Sequence, residues 1–345
     1  MQYLEVPTKD TRYVYPTGRI RGLEKYLLKG ADFSRIKEEK NLEDSFQNLS
    51  RFYPYSESMK VCTSAKEFEK GLEEEWRRTY QELRSFVPEP ELIDLFWLDQ
   101  DFHKIKVFIK LHIKEKDLQE IDKIPYLSRA GTVSLDILRD AIVKDDFFSL
   151  PFYFKDLIQQ AKKILEKEFS AREIDFFFDR KYFSQFVAGL SKFKDDFLEE
   201  LAKKLVDEYN IKTFLRIKFR EREDEREILE KSLVEGGSVE KDKIVACAGQ
   251  PVESLLDHLQ GGELKTVVQK AIEEWKDKQV LFLFDKSMEE IILRFTSRGF
   301  YVTFGREPVI NYIFLKKREI KVLRFILQAK KIGLPDEQVE LIVSY

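Results

Sequence analysis

Apolar residues recur at three- and four-residue intervals along most of the chain. Phe68, Leu72, Trp76, Leu83 and Phe86 form one such set, and Leu157, Ile158, Ala161, Ile164, Leu165 and Phe169 another. Phe197, Leu198, Leu201, Ala202 and Leu205 make a third, followed by Leu264, Val267, Val268, Ala271, Ile272 and Trp275. This period places each set on one side of an α-helix, whereas the alternation of a half-buried strand is rare. The pattern predicts a mostly α fold. Gly131 before Thr132 and Gly237 before Ser238 each set a residue tolerant of left-handed backbone beside a hydroxyl that caps helices well, which predicts a corner between helices at both places.

One stretch departs from the helical pattern. VLFLFDK, Val280 to Lys286, has the form of a buried strand that delivers a magnesium ligand to a nucleotide. An internal repeat gives it another meaning. Ile105, Lys106, Phe108 and Lys110 in HKIKVFIK match Ile211, Lys212, Phe214 and Arg216 in YNIKTFLR at an offset of 106. The same offset carries Gly131, Val133 and Asp136 onto Gly237, Val239 and Asp242, and Phe176, Phe178 and Asp179 onto Phe282, Phe284 and Asp285. Weaker echoes lie in RIRGLEK (Ile20, Arg21, Leu23, Lys25) and EIKVLRF (Ile320, Lys321, Leu323), giving spacings of 85, 106 and 109. The chain therefore reads as three helical units, 1–104, 105–210 and 211–345, the last with closing C-terminal helices that echo the first. VLFLFDK is one copy of an element whose other copy is DFFFDRK, and a nucleotide site is seldom duplicated without a phosphate loop. No GxxxxGK[ST] occurs, and GGELKT (Gly261 to Thr266) lacks the glycine that should precede its lysine. Asp179 and Asp285 each precede apolar residues at helical spacing (Tyr182, Phe183, Phe186, Val187; Met288, Ile291, Ile292, Phe295), so both are predicted to cap helix N-termini.

Composition narrows the chemistry. The 345 residues suit two or three packed units, and 14 Gly with 10 Pro favour regular structure over loops. Sixty basic and 63 acidic residues are interleaved, as in EREDEREILEK, so no global field directs the chain to nucleic acid. Cys62 and Cys247 form no CxxC, which argues against a disulfide framework or zinc site and fits a reducing compartment, with both thiols in the core. No stretch approaches the ~18 apolar residues that span a bilayer, and MQYLEVPTKDTRY has no signal-peptide form, so neither export nor membrane insertion is expected. His103, His112 and His258 lack metal-ligand spacing, no GxSxG nucleophile motif occurs, and acidic runs such as KGLEEEWRR read as solvated helix faces. No catalytic, cofactor-binding or metal-binding constellation is predicted.

The segments YVYPTGRIRGLEKYLL (Tyr13 to Leu28), LDQDFHKIKVFIK (Leu98 to Lys110), YNIKTFLRIK (Tyr209 to Lys218) and REIKVLRFILQAKKIGLP (Arg318 to Pro335) together resemble the family of C subunits of V/A-type ATPases (ATP synthases), related to the d subunit of the eukaryotic vacuolar enzyme. Two departures stand out: Lys104 replaces the family's usual asparagine, and basic and aromatic residues crowd Phe176 to Phe183. The resemblance implies an all-α funnel of three similar subdomains around a pseudo-threefold axis, peripheral on the cytoplasmic membrane face. It implies a non-catalytic, cofactor-free rotor part whose cavity receives the D and F shaft proteins and which sits on the proteolipid ring, with catalysis in the A and B proteins. It implies no binding of nucleic acid or nucleotide and no direct insertion into lipid. The basic residue after the repeated isoleucine, Arg21, Lys106, Lys212 and Lys321, is then a candidate shaft-socket position, although the same pattern fits cations on the solvated edge of each helix. A helical-repeat scaffold and a hydrolase with dispersed acidic residues are the alternatives; repeat units of ~20 to 45 residues are shorter than the period seen here.

Overall fold

The computed structural model describes residues 10–113, 128–167, 171–220, 224–259 and 261–334, and every regular element among them is helical. The expected all-α class holds. Six helices come first: α1 (Val14–Leu23), α2 (Gly30–Glu38), α3 (Leu42–Leu49), α4 (Tyr55–Ser58), α5 (Phe68–Phe86) and α6 (Pro90–Ile113). They are followed by α7 (Leu135–Val143), α8 (Phe152–Lys167), α9 (Ala171–Ser191), α10 (Asp196–Lys218) and α11 (Glu225–Ser232). The last are α12 (Lys241–Ala246), α13 (Leu255–His258), α14 (Glu263–Lys278), α15 (Phe282–Thr296) and α16 (Arg306–Ile332). The four apolar stripes read from the sequence fall on α5, α8, α10 and α14, although Phe169, like Pro335 of the closing motif, lies outside the described residues.

Contacts gather the described residues into two compact units, one drawn from 10–101, 128–135 and 296–334, the other from 102–113 and 136–295. Helix α6 gives its first half to one and its second half to the other. Pro90 opens α6, where the missing N–H is no loss, and Asp195 caps α10 by accepting from Leu198 N–H at 3.1 Å. Gly333, at φ 73°, closes α16 in the left-handed conformation.

In the first unit α5 buries Phe68, Leu72, Trp76 and Leu83 along one face, and Trp76 stacks on Trp97 of α6 with ring centroids 4.2 Å apart. Helix α16 has buried residues around most of its circumference, including Val309, Ile313, Ile320, Leu323 and Leu327, as a central helix must. It also buries charge. Lys316, 1% exposed, lies 2.6 Å from Glu319 Oε1 and 2.9 Å from Glu75 Oε1. Glu319 further accepts from the Tyr55 hydroxyl and from Leu28 N–H, each at 2.6 Å, so one carboxylate ties α16 to α4 and to the segment before α2. Burial works against the Lys316 charge, but Glu319 and Glu75 outweigh it and hold the ammonium above its ordinary pKa; burial pushes the Glu75 carboxyl up.

The second unit packs α10, α11, α12, α14 and α15 around Ile211, Phe214, Leu229, Val268 and Phe284, with Phe219 stacked on Trp275 at 4.2 Å. The segment VLFLFDK contributes its Phe282 to Lys286 to the start of α15, not to a strand. Cys247 is buried, as expected, whereas Cys62 is only half-buried.

The buried charges of the first unit make two predictions. Lys316→Met leaves two buried carboxylates without their cation and should lower unfolding free energy by about 3–5 kcal/mol in urea titrations. Replacing Lys316, Glu75 and Glu319 together with apolar residues should recover only part of this, because Tyr55 and Leu28 lose their acceptor. Glu89 accepts from Arg306, Tyr13 and Arg12, and the Arg306 bonds above all hold its pKa down to about 2 against an ordinary 4.5. A depressed carboxyl pKa stabilises the fold above its unfolded value and loses that contribution as pH falls through the folded one. Stability should therefore drop by about 1–3 kcal/mol between pH 5 and pH 2, and Glu89→Gln should flatten that part of the curve.

Candidate functional site

The repeat seen in the sequence reappears as repeated interactions. Asp101 of α6 accepts from Thr132 N–H at 2.9 Å, from Thr132 Oγ1 at 2.7 Å and from Val133 N–H at 3.2 Å. Asp207 of α10, 106 positions later, accepts from Ser238 N–H at 2.8 Å, from Ser238 Oγ at 2.5 Å and from Val239 N–H at 3.3 Å. Both aspartates are buried, at 0% and 4% exposure. Burial raises the Asp207 carboxyl above its ordinary range, while the Ser238 and Val239 donors pull it back.

Thr132 and Ser238 therefore do not cap the next helices, which begin at Leu135 and Lys241; their hydroxyls donate to the aspartate behind them. The glycines serve the same clamp in different ways. Gly131 adopts φ 121°, whereas at Gly237 a Cβ would sit 2.5 Å from Asp207 Oδ1 and the left-handed backbone has moved to Gly236 at φ 102°.

The second repeated interaction corrects the reading of Asp179 and Asp285. Neither is an N-cap: Asp179 lies in the interior of α9 and Asp285 in the first turn of α15. Each instead meets the repeated lysine. Lys106 lies 3.3 Å from Asp179, and Lys212 lies 2.6 Å from Asp285. The first copy is more elaborate, because Asp175 adds contacts at 3.4 Å to Lys106 and 2.6 Å to Lys110. At the offset of 106 Asp175 becomes Leu281, which leaves the second copy with the simple pair. Burial raises the Asp179 carboxyl, and Lys106 opposes that shift.

The other two predicted cations differ. Arg21 donates to Glu24 at 2.9 Å and to the carbonyls of Gly299, Phe300 and Val302 at 2.6, 3.1 and 3.2 Å, so its guanidinium ties α1 to the turn ahead of α16. Lys321 is exposed on α16. Lys104 is fully buried, and so is its counterpart at the offset of 106, Asn210, whose amide accepts from Val234 N–H at 2.9 Å and donates to Val234 C=O at 2.8 Å. Sequence reasoning missed Asp101 and Asp207. Extending the register back four residues from Ile105 and Ile211 would have paired them, and Thr132 with Ser238.

Among the described residues no cluster of three or more His, Cys, Asp or Glu side chains could hold a metal ion, and no helix is long and apolar enough to cross a membrane. The repeated geometry ties helix corners to helices and pairs helices with one another.

A sequence model of the ATP synthase (C/AC39) subunit family matches residues 16–341. Similar proteins include the C subunit of the V-type sodium ATPase of Enterococcus hirae, 24% identical over 93% of this chain and 94% of that protein. The C subunit of the A-type ATP synthase of Archaeoglobus fulgidus is 25% identical over 95% of each chain. That of Thermococcus onnurineus is 24% identical over 97% of this chain and 91% of its own.

Replacing Asp207 with Ala should cost about 1–3 kcal/mol, because the buried Val239 N–H and the part-buried Ser238 N–H lose their acceptor, and Asp207→Asn should cost less because one oxygen still accepts. Urea unfolding of both variants reads this directly. A loss below about 0.5 kcal/mol for the alanine variant would show that the clamp is incidental.

Proposed function

The chain belongs to the ATP synthase (C/AC39) subunit family, and from that membership we propose that it is a non-catalytic central-stalk component of a rotary ATPase. In this reading it is a socket on the cytoplasmic membrane face that joins the D and F shaft to the proteolipid ring. Rotation then links ATP hydrolysis or synthesis to H⁺ or Na⁺ translocation. The observation that carries the reading is the family match over residues 16–341, with relatives of the same name covered almost end to end.

The proposal includes three related units, 1–104, 105–210 and 211–345, arranged as a funnel about a pseudo-threefold axis. The paired clamps, Asp101 with Thr132 and Asp207 with Ser238, support the equivalence of the repeats on which such symmetry rests. Arg21, Lys106, Lys212 and Lys321 remain the proposed socket positions. Lys106 and Lys212 keep side-chain exposures of 21% and 25% beside their aspartates, so they would meet the shaft as partly neutralised pairs.

Purified chain mixed with a D/F shaft complex is expected to form a stable complex, and membranes carrying the proteolipid ring should retain the chain while protein-free liposomes of the same lipids should not. Failure to bind either shaft or ring would overturn the socket. The double variant Lys106→Gln, Lys212→Gln tests the interface without setting a new carboxylate against Asp175 and Asp179. It should slow shaft association several-fold at low salt and reduce its salt dependence. Unchanged rates across a salt series would remove these lysines from the interface.

A further inference from the structure

A cleft of about 730 Å³ opens along α9 in the second unit, apart from the repeated clamps. Its floor is apolar, formed by Phe176, Phe177 and Val187 of α9 facing Leu233 and Val234 of the segment after α11. The lining stripe on α9 runs from Phe176 to Ala188, about 18 Å of helix at 1.5 Å per residue.

The lip is basic. Arg180, Lys181, Lys231 and Lys241 line the cleft against two carboxylates, Glu173 and Glu235. Lys231 already pairs with Glu227 at 2.7 Å and Glu173 at 3.3 Å, so the remaining charge comes from Arg180, Lys181 and Lys241 with Glu235 alone against them. Arg180 is exposed, and the Lys181 ammonium lies 5.7 Å from the centroid of the Phe177 ring at the floor.

The repeat supplies an independent observation. At the offset of 106 the positions of Phe177 and Lys181 become Leu283 and Ser287, so the second cation and second aromatic are additions to one copy and not requirements of the shared fold. Both Phe177 and Lys181 line the cleft.

We propose that this cleft is a docking groove for an acidic amphipathic helix of a protein partner, seated by the half-buried Phe176, Phe177 and Val187 over the buried Leu233 and Val234, and held at its acidic flank by Arg180, Lys181 and Lys241. The backbone groups of α9 are bonded within the helix and offer no ladder to an extended strand, so the occupant must satisfy its own backbone, as a helix does. The length of the stripe fits about twelve residues, three turns. The excess of cations on the lip selects a helix carrying Glu or Asp beside its apolar face. The proposal does not depend on the rotor reading.

The test uses the full chain and a fluorescent 18-residue designed helix with Leu at three- and four-residue spacing flanked by Glu, together with a version in which every Glu is Lys and a scrambled version. The Glu helix should bind saturably with micromolar Kd at low salt, and the Lys and scrambled helices at least tenfold more weakly. Arg180→Glu with Lys181→Glu should weaken the Glu helix at least tenfold at low salt and little at high salt. Ala188→Trp, which fills the groove from an exposed position, should weaken it at both. Thermal unfolding of the variants is expected to match the parent chain. No saturable binding, equal binding of Glu and Lys helices, or wild-type binding by both variants would overturn the groove. A dimer of the chain alone, abolished by the same substitutions, would put a second copy in the cleft and overturn the partner assignment.

Discussion

A backbone N–H turned into a core has no water to bond, and an acceptor must stand behind it. Asp101 and Asp207 meet this constraint. Each projects from the middle of a long helix and takes two backbone N–H groups and a hydroxyl from the turn that leads into the next helix. The clamp ties the turn that leads into α7 to α6, and the turn that leads into α12 to α10.

The same register carries buried polarity into the last related helix with the sign reversed. Asp207 corresponds to Lys316 and Asn210 to Glu319 at the spacing of 109, and all four are buried. In α16 the lysine and glutamate bond each other and reach Glu75, Tyr55 and the backbone at Leu28. A position that holds Asp in two copies and Lys in the third is thus not kept for one charge. It is a place where the buried side of a long helix fastens to its surroundings by a polar contact. Such contacts cost desolvation and add little net stability, but a wrong arrangement would leave a charge unpaired. For a part proposed to transmit torque, a defined arrangement of helices matters more than the last increments of stability.

The ion pairs of Lys106 and Lys212 show how one residue pattern can be misread. An aspartate ahead of an apolar run looks like a helix start, and an isolated lysine beside a buried isoleucine looks like a solvated edge. Both are halves of one interaction between helices 73 residues apart in sequence. The recurrence of both halves at one offset was visible in the chain. Their contact was not, because sequence separation says nothing about which helices lie side by side.

Helical periodicity, the repeat and the family resemblance were legible in the sequence because they depend on local spacing and on composition. The stripes on α5, α8, α10 and α14 follow from side-chain geometry within single helices, and the 106-residue offset is a property of the string itself. Tertiary structure alone decided what the repeated polar residues bind. Asp101 and Asp207 became clamps, Asp179 and Asp285 became partners of lysines rather than caps, and Arg21 became a tie to three carbonyls nearly 280 residues away in the chain. The physical reason is that a polar side chain in a helical protein bonds whatever donor or acceptor packing brings within about 3 Å, and packing is set by many apolar contacts at once.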